Sequence, residues 1–416
     1  MDRIRCGIFS AKTNIPFRAG KLAAERVISQ TEDRNPALCL VFYSSKYAYP
    51  ELVDGLLQEL NPDIIAGCST NGEIADGYWR ETAVAISLAT DYMRFGISAE
   101  DNTKLINNDE LIYQEFYQRA LKDLRDKILF HEHKMDVPVN PKNIIPDFGM
   151  LFLPGTDIEL DPKANEVIKK IRKFSGDIPF IGGSIGDDSN YEIGSVIFKD
   201  NMLENHTLLI LGRSDLEFSM AQQHGYKIKK EFTATQTNRN SILELNNQPA
   251  STVYFNELNS PVVEISDLRD EICAINPLGI KDKETDDLQI LFPMSRGKGT
   301  NEINVSQVIE KGSTIYFTEA DIEQSRKASI NSIKTAFTGG QIDDPRLALI
   351  FSCVGRSTFY FNNSLAEIEE IQNRFKYTSV GGAYLNGTLC GQNNWVSEGT
   401  TSTLLIGNDL RRRPLH

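Results

Sequence analysis

The chain has 416 residues, 57 of them acidic and 44 basic, for a formal charge of −13. At roughly 150 residues per domain, that length allows two or three domains and a core that needs no disulfide staples. With 40% hydrophobic and 24% charged residues, the composition excludes collagen, coiled coil and bulk disorder, and the acidic balance argues against a general nucleic-acid binder, because phosphates attract clustered Lys and Arg.

The one compact basic run, Arg411–Arg413, reads as a solvated tail. Six cysteines, Cys6, Cys39, Cys68, Cys273, Cys353 and Cys390, lie far apart with no C-x-x-C. That spacing argues against a structural zinc site or a thioredoxin-like centre. There is no signal-peptide h-region and no run of ~18–20 apolar residues. The expectation is a cytoplasmic protein with reduced thiols and no membrane span.

In chain order, a helix is predicted over Phe17–Gln30. Ala37–Tyr43 reads as a buried strand, Pro50–Leu60 as a helix with Pro in its first turn, Asp63–Gly67 as a buried strand running into CSTNGE, and Thr82–Leu88 as another strand. The polar stretch near 101–110 is expected to be loop. A helix follows over Tyr113–Leu129, then more polar chain over 131–147. Gly149–Leu153 is a strand, Asp161-Pro162 opens a helix to Phe174, Ile178–Gly183 is a strand running into SIGDDSN, and Thr207–Leu211 is the next. Gly225 to about Ser313 differs, with short β-like runs at Tyr226–Thr233, Ser241–Leu245, Val262–Ile265, Gln289–Phe292 and Ser313–Phe317 and a polar stretch over 281–304. The first pattern then returns. It comprises a helix over Ala320–Phe337, a strand over Leu347–Cys353, a capping box at Ser364–Glu367, Tyr377–Gly382 running into AYLNGT, and a strand over Thr401–Ile406.

The order therefore occurs three times. Phe42 to Gly67 spans 25 residues, and Phe152 to Gly183 and Phe351 to Gly382 both span 31. The predicted fold class is α/β, with mixed sheets built from three related β-α-β-β units covered by helices. A β-rich insert lies between units two and three. A domain boundary is placed near Gln222–Tyr226, giving domains 1–222 and 223–416.

AGCSTNGEI (Ala66–Ile74), SILELNNQPASTVYFNEL (Ser241–Leu258), NPLGI (Asn276–Ile280) and FSCVGR (Phe351–Arg356) resemble motifs of the FIST family of prokaryotic sensory proteins. The first resembles the start of its N-terminal domain and the others its C-terminal domain. The resemblance covers nearly the whole chain. It implies intracellular sensing of a small ligand, an amino acid or related metabolite. It also implies output to a histidine kinase, a chemoreceptor or a cyclic-di-nucleotide enzyme. A subset of the family binds haem and senses nitric oxide. One departure stands out: where the family often has Tyr-x-x-Gly-Glu, this chain has Tyr384-Leu-Asn-Gly387-Thr388.

Each unit runs a buried strand into small polar residues, where free backbone N–H groups and side chains converge. In unit one the candidate ligand-binding residues are Cys68, Ser69, Thr70, Asn71 and Glu73, with Glu73 suited to an ammonium. In unit two they are Gly183, Ser184 and Asp187, beside Asp188. In unit three they are Arg356, whose fork suits a carboxylate, with Tyr384 and Asn386. The same residues also suit satisfied turns and structural pairs. His131-Glu132-His133 lacks the i, i+4 spacing of a zincin. His224, at the proposed domain junction, is a better candidate haem ligand than His206. The expected function is a non-catalytic sensory module. The alternatives are a haem-based gas sensor and, last, a hydrolase using Cys68 or Glu73.

Overall fold

The structure, a computed structural model, describes residues 2–32, 35–106, 109–134, 140–155, 163–188, 194–259, 271–282, 285–293, 301–359, 371–373 and 375–411. The sequence features at Asp161-Pro162, Val262–Ile265, Ser364–Glu367 and Arg412-Arg413 lie outside the described residues.

Unit one comprises β1 (Ile4–Ala11), α1 (Pro16–Gln30), β2 (Leu38–Tyr43), α2 (Pro50–Leu56), β3 (Ile65–Ser69), the hairpin β4 (Glu73–Ala75) and β5 (Tyr78–Trp79), and β6 (Ala83–Thr90). Unit two has β7 (Met93–Asp101), α3 (Asn102–Ile106), α4 (Glu110–Lys134), β8 (Phe148–Leu153), α5 (Lys163–Ser175), β9 (Phe180–Ser184), the hairpin β10 (Ser195–Phe198) and β11 (Asn201–Glu204), and β12 (His206–Ser214). Unit three opens with β13 (Leu216–Gln223). The insert follows, with β14 (Tyr226–Asn238), β15 (Ser241–Leu245), β16 (Gln248–Pro249), α6 (Ala250–Glu257), α7 (Glu271–Ile275), β17 (Leu278–Lys281), β18 (Leu288–Leu291), β19 (Ile303–Asn304) and β20 (Thr314–Ala320). The third unit resumes with α8 (Ile322–Gly340), β21 (Pro345–Cys353), β22 (Ser379–Leu385), β23 (Thr388–Gly391) and β24 (Thr401–Leu410).

Each unit thus carries a strand ahead of its long helix, and the insert enters the third unit just after that strand. Asn102–Ile106, read from sequence as loop, is a helical turn. Asp101 accepts from the Thr103 N–H at 2.8 Å, and Leu105 is buried under α4.

The apolar runs form parallel pairs, β2 with β3, β8 with β9 and β21 with β22. Such strands are covered on both faces, which is why they read as unbroken apolar runs. The sheets then exchange edges. Sheet one is ordered β1-β6-β2-β3-β10-β11, sheet two β23-β9-β8-β12-β7, and sheet three β13-β24-β21-β22-β4-β5. Unit one lends its hairpin to sheet three, unit two lends its own to sheet one, and unit three lends β23 to sheet two. The exchange is cyclic.

The inner faces of the three sheets share one core. Phe42, Phe152 and Phe351, at matching positions of the central strands, meet edge-on with ring centroids 5.8, 5.7 and 5.5 Å apart. The outer faces are covered by α1 and α2, by α4 and α5, and by α8. Strand register refines the spacing seen in sequence. Gly67, Gly182 and Gly382 are the matching residues, opposite Val41, Leu151 and Ile350. In each, an added Cβ would meet the carbonyl oxygen of that partner within 2.2 Å. The Gly182-Gly183 pair shifted the sequence match by one residue.

The insert forms its own sheet, ordered β16-β15-β14-β20-β17-β18 with β19 on β15, around a separate apolar cluster. Among the described residues no helix is long and apolar enough to cross a membrane.

Candidate functional site

The parallel pairs place the polar strand ends of all three units at one pole of the core. Asn71 donates through Nδ2 to Asn386 Oδ1 at 2.8 Å, and Asn386 donates to the Ile185 carbonyl at 3.0 Å. The Asn71 N–H reaches the Tyr384 carbonyl, the Asn386 N–H the Ser184 carbonyl, and the Asp187 N–H Asn71 Oδ1. Ser69 donates to the Gly186 carbonyl at 2.6 Å and accepts from the Ser195 N–H. The next residue on, Asp188, receives three bonds on one carboxylate oxygen, from Ser44 Oγ, the Ser45 N–H and Ser45 Oγ, at 2.7, 2.7 and 2.6 Å. Ser69, Thr70, Asn71, Glu73, Ser184, Asp187 and Tyr384 are all buried. The pole is a lock between units, in which the side chains of Ser69, Asn71, Asp188 and Asn386 bond one another or neighbouring residues.

Glu73 sits in this lock. Its carboxyl accepts from Thr70 and Thr82 hydroxyls, both at 2.7 Å. Burial pushes it up to about 7; the Thr82 and Thr70 bonds oppose the shift and the Asp188 charge adds to it. The exchanged strands reveal its counterpart. Glu73 pairs with Ala383 and Thr388 with Gly183, and those partners lie opposite Phe351 and Phe152. Thr388 bonds Thr400 at 2.7 Å, as Glu73 bonds Thr82. The Gly-Glu dipeptide missing from the third unit therefore occurs in the first, at Gly72-Glu73.

A second polar cluster lies where the insert covers the third unit. Strand β21 ends at Cys353, and the turn after it carries Arg356. Arg356 is fully buried and donates to Ser352 Oγ at 2.5 Å, Ser329 Oγ at 3.1 Å and the Ser325 carbonyl at 2.7 Å. Small residues on α8 let that helix approach the sheet closely. The Ser329–Thr401 and Ser332–Thr403 hydroxyl pairs continue the polar seam. Burial pushes the Cys353 thiol to about 11, with backbone N–H groups of Gly399 and Gly355 and the Arg356 charge pulling it down and Glu398 pushing it up.

Glu398 is buried on the opposite side of this seam. Its Oε2 accepts from the Phe292 N–H at 3.4 Å and its own N–H donates to the Ile290 carbonyl at 3.2 Å. Burial raises this carboxyl to about 7, against the bond from the Phe292 N–H. Tyr226, also buried, donates to the Ala274 carbonyl at 2.9 Å and packs on Gly399.

The residues singled out in the sequence thus divide. Cys68, Ser69, Thr70, Asn71, Glu73, Gly183, Ser184, Asp187 and Asn386 gather at the pole. Tyr384 joins them through its backbone, while its ring packs outward with Ile74 and the α8 cluster. Arg356 belongs to the seam under the insert. His224 is at the edge of that seam, its Nδ1 accepting from the Tyr226 N–H at 3.1 Å and its ring held below the ordinary histidine range by burial. His206 lies on β12 with Nδ1 at 2.6 Å from the Glu204 carbonyl. Glu398 and Tyr226 were not picked out as site residues. The sequence offered only the run Glu398-Gly399-Thr400, an acid followed by a turn residue; the structure gives Gly399 a φ of +61 and buries the acid. Among the described residues no group of three or more His, Cys, Asp or Glu side chains could hold a metal ion, and none of the six cysteines forms a disulfide.

With this geometry in view, the comparisons are decisive on family. A FIST N domain matches residues 37–248 and a FIST C domain residues 252–390. The chain belongs to the FIST family. FIST domains are associated with sensory signalling and small-ligand binding. An uncharacterized protein of Methanocaldococcus jannaschii is 23% identical over 332 residues, covering 77% of this chain and 60% of that protein. This FIST chain therefore spans less than two thirds of that relative's length. Solved structures similar to it include a cyanuric acid hydrolase from A. caulinodans, at 9% identity and a TM-score of 0.37 with 98% and 99% of the two chains covered. PurLQS from Thermotoga maritima scores 0.21 at 8% identity, covering 98% of this chain and 73% of that one. At such scores no residue correspondence follows.

Proposed function

We propose that this FIST chain is a non-catalytic sensory module that binds a small carboxylate-bearing metabolite, such as an amino acid, in the seam between the third unit and the insert. The observation that carries this reading is the pairing of Arg356 and Glu398 about Cys353. The Cys353 N–H donates to the Thr400 carbonyl at 2.9 Å, which sets the Glu398–Thr400 segment beside the turn that carries Arg356, and one wall of the seam belongs to the insert. Occupancy there changes how the insert sits. The displaced insert surface is what a histidine kinase, chemoreceptor or cyclic-di-nucleotide enzyme would read.

Chemistry at the thiols is disfavoured. The thiolate is the nucleophile, and burial pushes Cys68 well above its ordinary value and Cys353 to about 11. Haem ligation by His224 is disfavoured too. A ring whose Nδ1 accepts a backbone N–H carries its neutral-form proton on Nε2, the nitrogen that would bind iron.

The test is calorimetry on ligands found in a thermal-shift screen of amino acids and related carboxylates. A ligand at ~100 times its dissociation constant stabilises the fold by about 2.7 kcal/mol. Arg356→Ala should weaken binding by about 1.5–3 kcal/mol, and Arg356→Lys, which keeps the charge, by less. Unchanged affinity in both variants would overturn this site, and a Soret band lost in His224→Ala would make haem the ligand.

A further inference from the structure

The contacts that dock the insert converge on one short segment. Gln289 donates to the Val396 carbonyl at 3.1 Å and the Ile290 N–H to Ser397 Oγ at 3.0 Å. Glu398 then exchanges backbone and side-chain bonds with Ile290 and Phe292. One residue on, Gly399 carries the Tyr226 ring, which ties the segment to Ala274. The Glu398 carboxyl is thus clamped between the edge of β18 and the third unit. Among the described residues no cation lies within ion-pair distance of it.

We propose that Glu398 is a proton-operated latch: in its neutral form it holds the insert against the third unit, and when its proton leaves to solvent the insert is released and the seam opens. This regulation rests on the ligand site proposed above.

The physical reason is desolvation. A neutral acid can be buried at modest cost, whereas a buried carboxylate needs strong donors or a cation. Here the backbone donor, at 3.4 Å, is long. Release lets water reach the charge. The raised value of about 7 has the same cause and sets the operating range. The other titratable groups of the joint are Cys353, Tyr226 and His224. Cys353 is at about 11, the Tyr226 phenol is pushed well above its ordinary value, and His224, facing Asp287, is held below its own. Arg356 stays charged throughout.

The docked state holds this proton more tightly than the open one, where an exposed Glu titrates near ~4.3. Docking is therefore at full strength below about pH 4 and weakens as pH rises through about 7. Between pH 6 and pH 8 it should weaken roughly tenfold.

The experiment is amide hydrogen exchange on the full chain without ligand, at pH 6 and pH 8, each rate normalised to intrinsic exchange. The Ile290 and Phe292 amides should lose roughly tenfold protection in the native protein. Glu398→Gln should keep that protection at both pH values, and Glu73→Gln should lose it as the native protein does. Equal protection at both pH values in the native protein, or the full loss in Glu398→Gln, overturns the latch. If Glu398→Gln does not fold, the carboxylic-acid infrared band of the Glu73→Gln protein, which lacks the other acid raised to about 7, decides: it should fade in step with protection, and a midpoint more than a pH unit away overturns the latch. The assay uses no ligand, so its failure leaves the binding site standing, and a failed ligand screen leaves the latch standing.

Discussion

The three rings at the core offer a quantitative test of the internal three-fold arrangement. Phe42, Phe152 and Phe351 are each fully buried, and each makes two edge-on contacts, all between 5.5 and 5.8 Å. Replacing one by Leu keeps most of the volume and removes both ring–ring contacts. Such contacts contribute about 0.5–1.5 kcal/mol each beyond area burial, so one replacement should cost about 1–3 kcal/mol. Removing a second ring deletes only one further contact, because the one they shared is already gone. Double-mutant cycles over the three pairs, read from urea unfolding, should return couplings of about 0.5–1.5 kcal/mol. The three couplings should agree within about 0.5 kcal/mol. A coupling near zero for any one pair, with the others intact, would refute an energetically equivalent triangle.

Two further outcomes follow from single positions. Gly399→Ala should destabilise by about 1–3 kcal/mol, since φ is +61 and a Cβ would lie 2.4 Å from the Tyr226 hydroxyl; Gly312→Ala, at φ +89 with nothing within 4 Å, should show only the backbone cost of about 1 kcal/mol. Urea midpoints of the two variants distinguish them. Glu73, raised to about 7 by burial, contributes stability that is full below its unfolded value and lost as pH rises through 7. Its share of the decline between pH 6 and pH 8 is roughly 1.3 kcal/mol. Glu73→Gln should flatten the urea midpoint against pH by that amount, and an unaltered slope would count against a neutral Glu73.

The three-fold repeat was readable because its central strands are buried on both faces. LCLVFY and FGMLFL allow no polar position, and the spacing from each Phe to the next strand's glycine was visible. The leading strands β1 and β13 were not, because they alternate irregularly between buried and half-buried residues and so lack the period-2 signature. The edge exchange was hidden for a different reason. β4 pairs with β22 some 300 residues later, and nothing local in Glu73–Ala75 encodes that partner. At the pole, residue types betrayed the position but not the outcome. Asn71 and Asn386 could serve a ligand or one another, and only the 2.8 Å bond between them decides. Glu398 was overlooked because an acid before a glycine usually marks an exposed turn, and its burial comes from the insert.

The cyclic exchange of edges has a consequence for biosynthesis. The hairpin of unit one leaves the ribosome some 300 residues before the strand it completes, β22. During synthesis the β4 edge carries unpaired N–H and C=O groups, the arrangement most prone to pairing with a wrong chain. A fold closed by strands paired across some 300 residues is also one of high contact order, hence slow. Fragments cut between units would each lack a strand that only another unit supplies. The nascent protein should therefore depend on chaperone protection until its final sheet has formed.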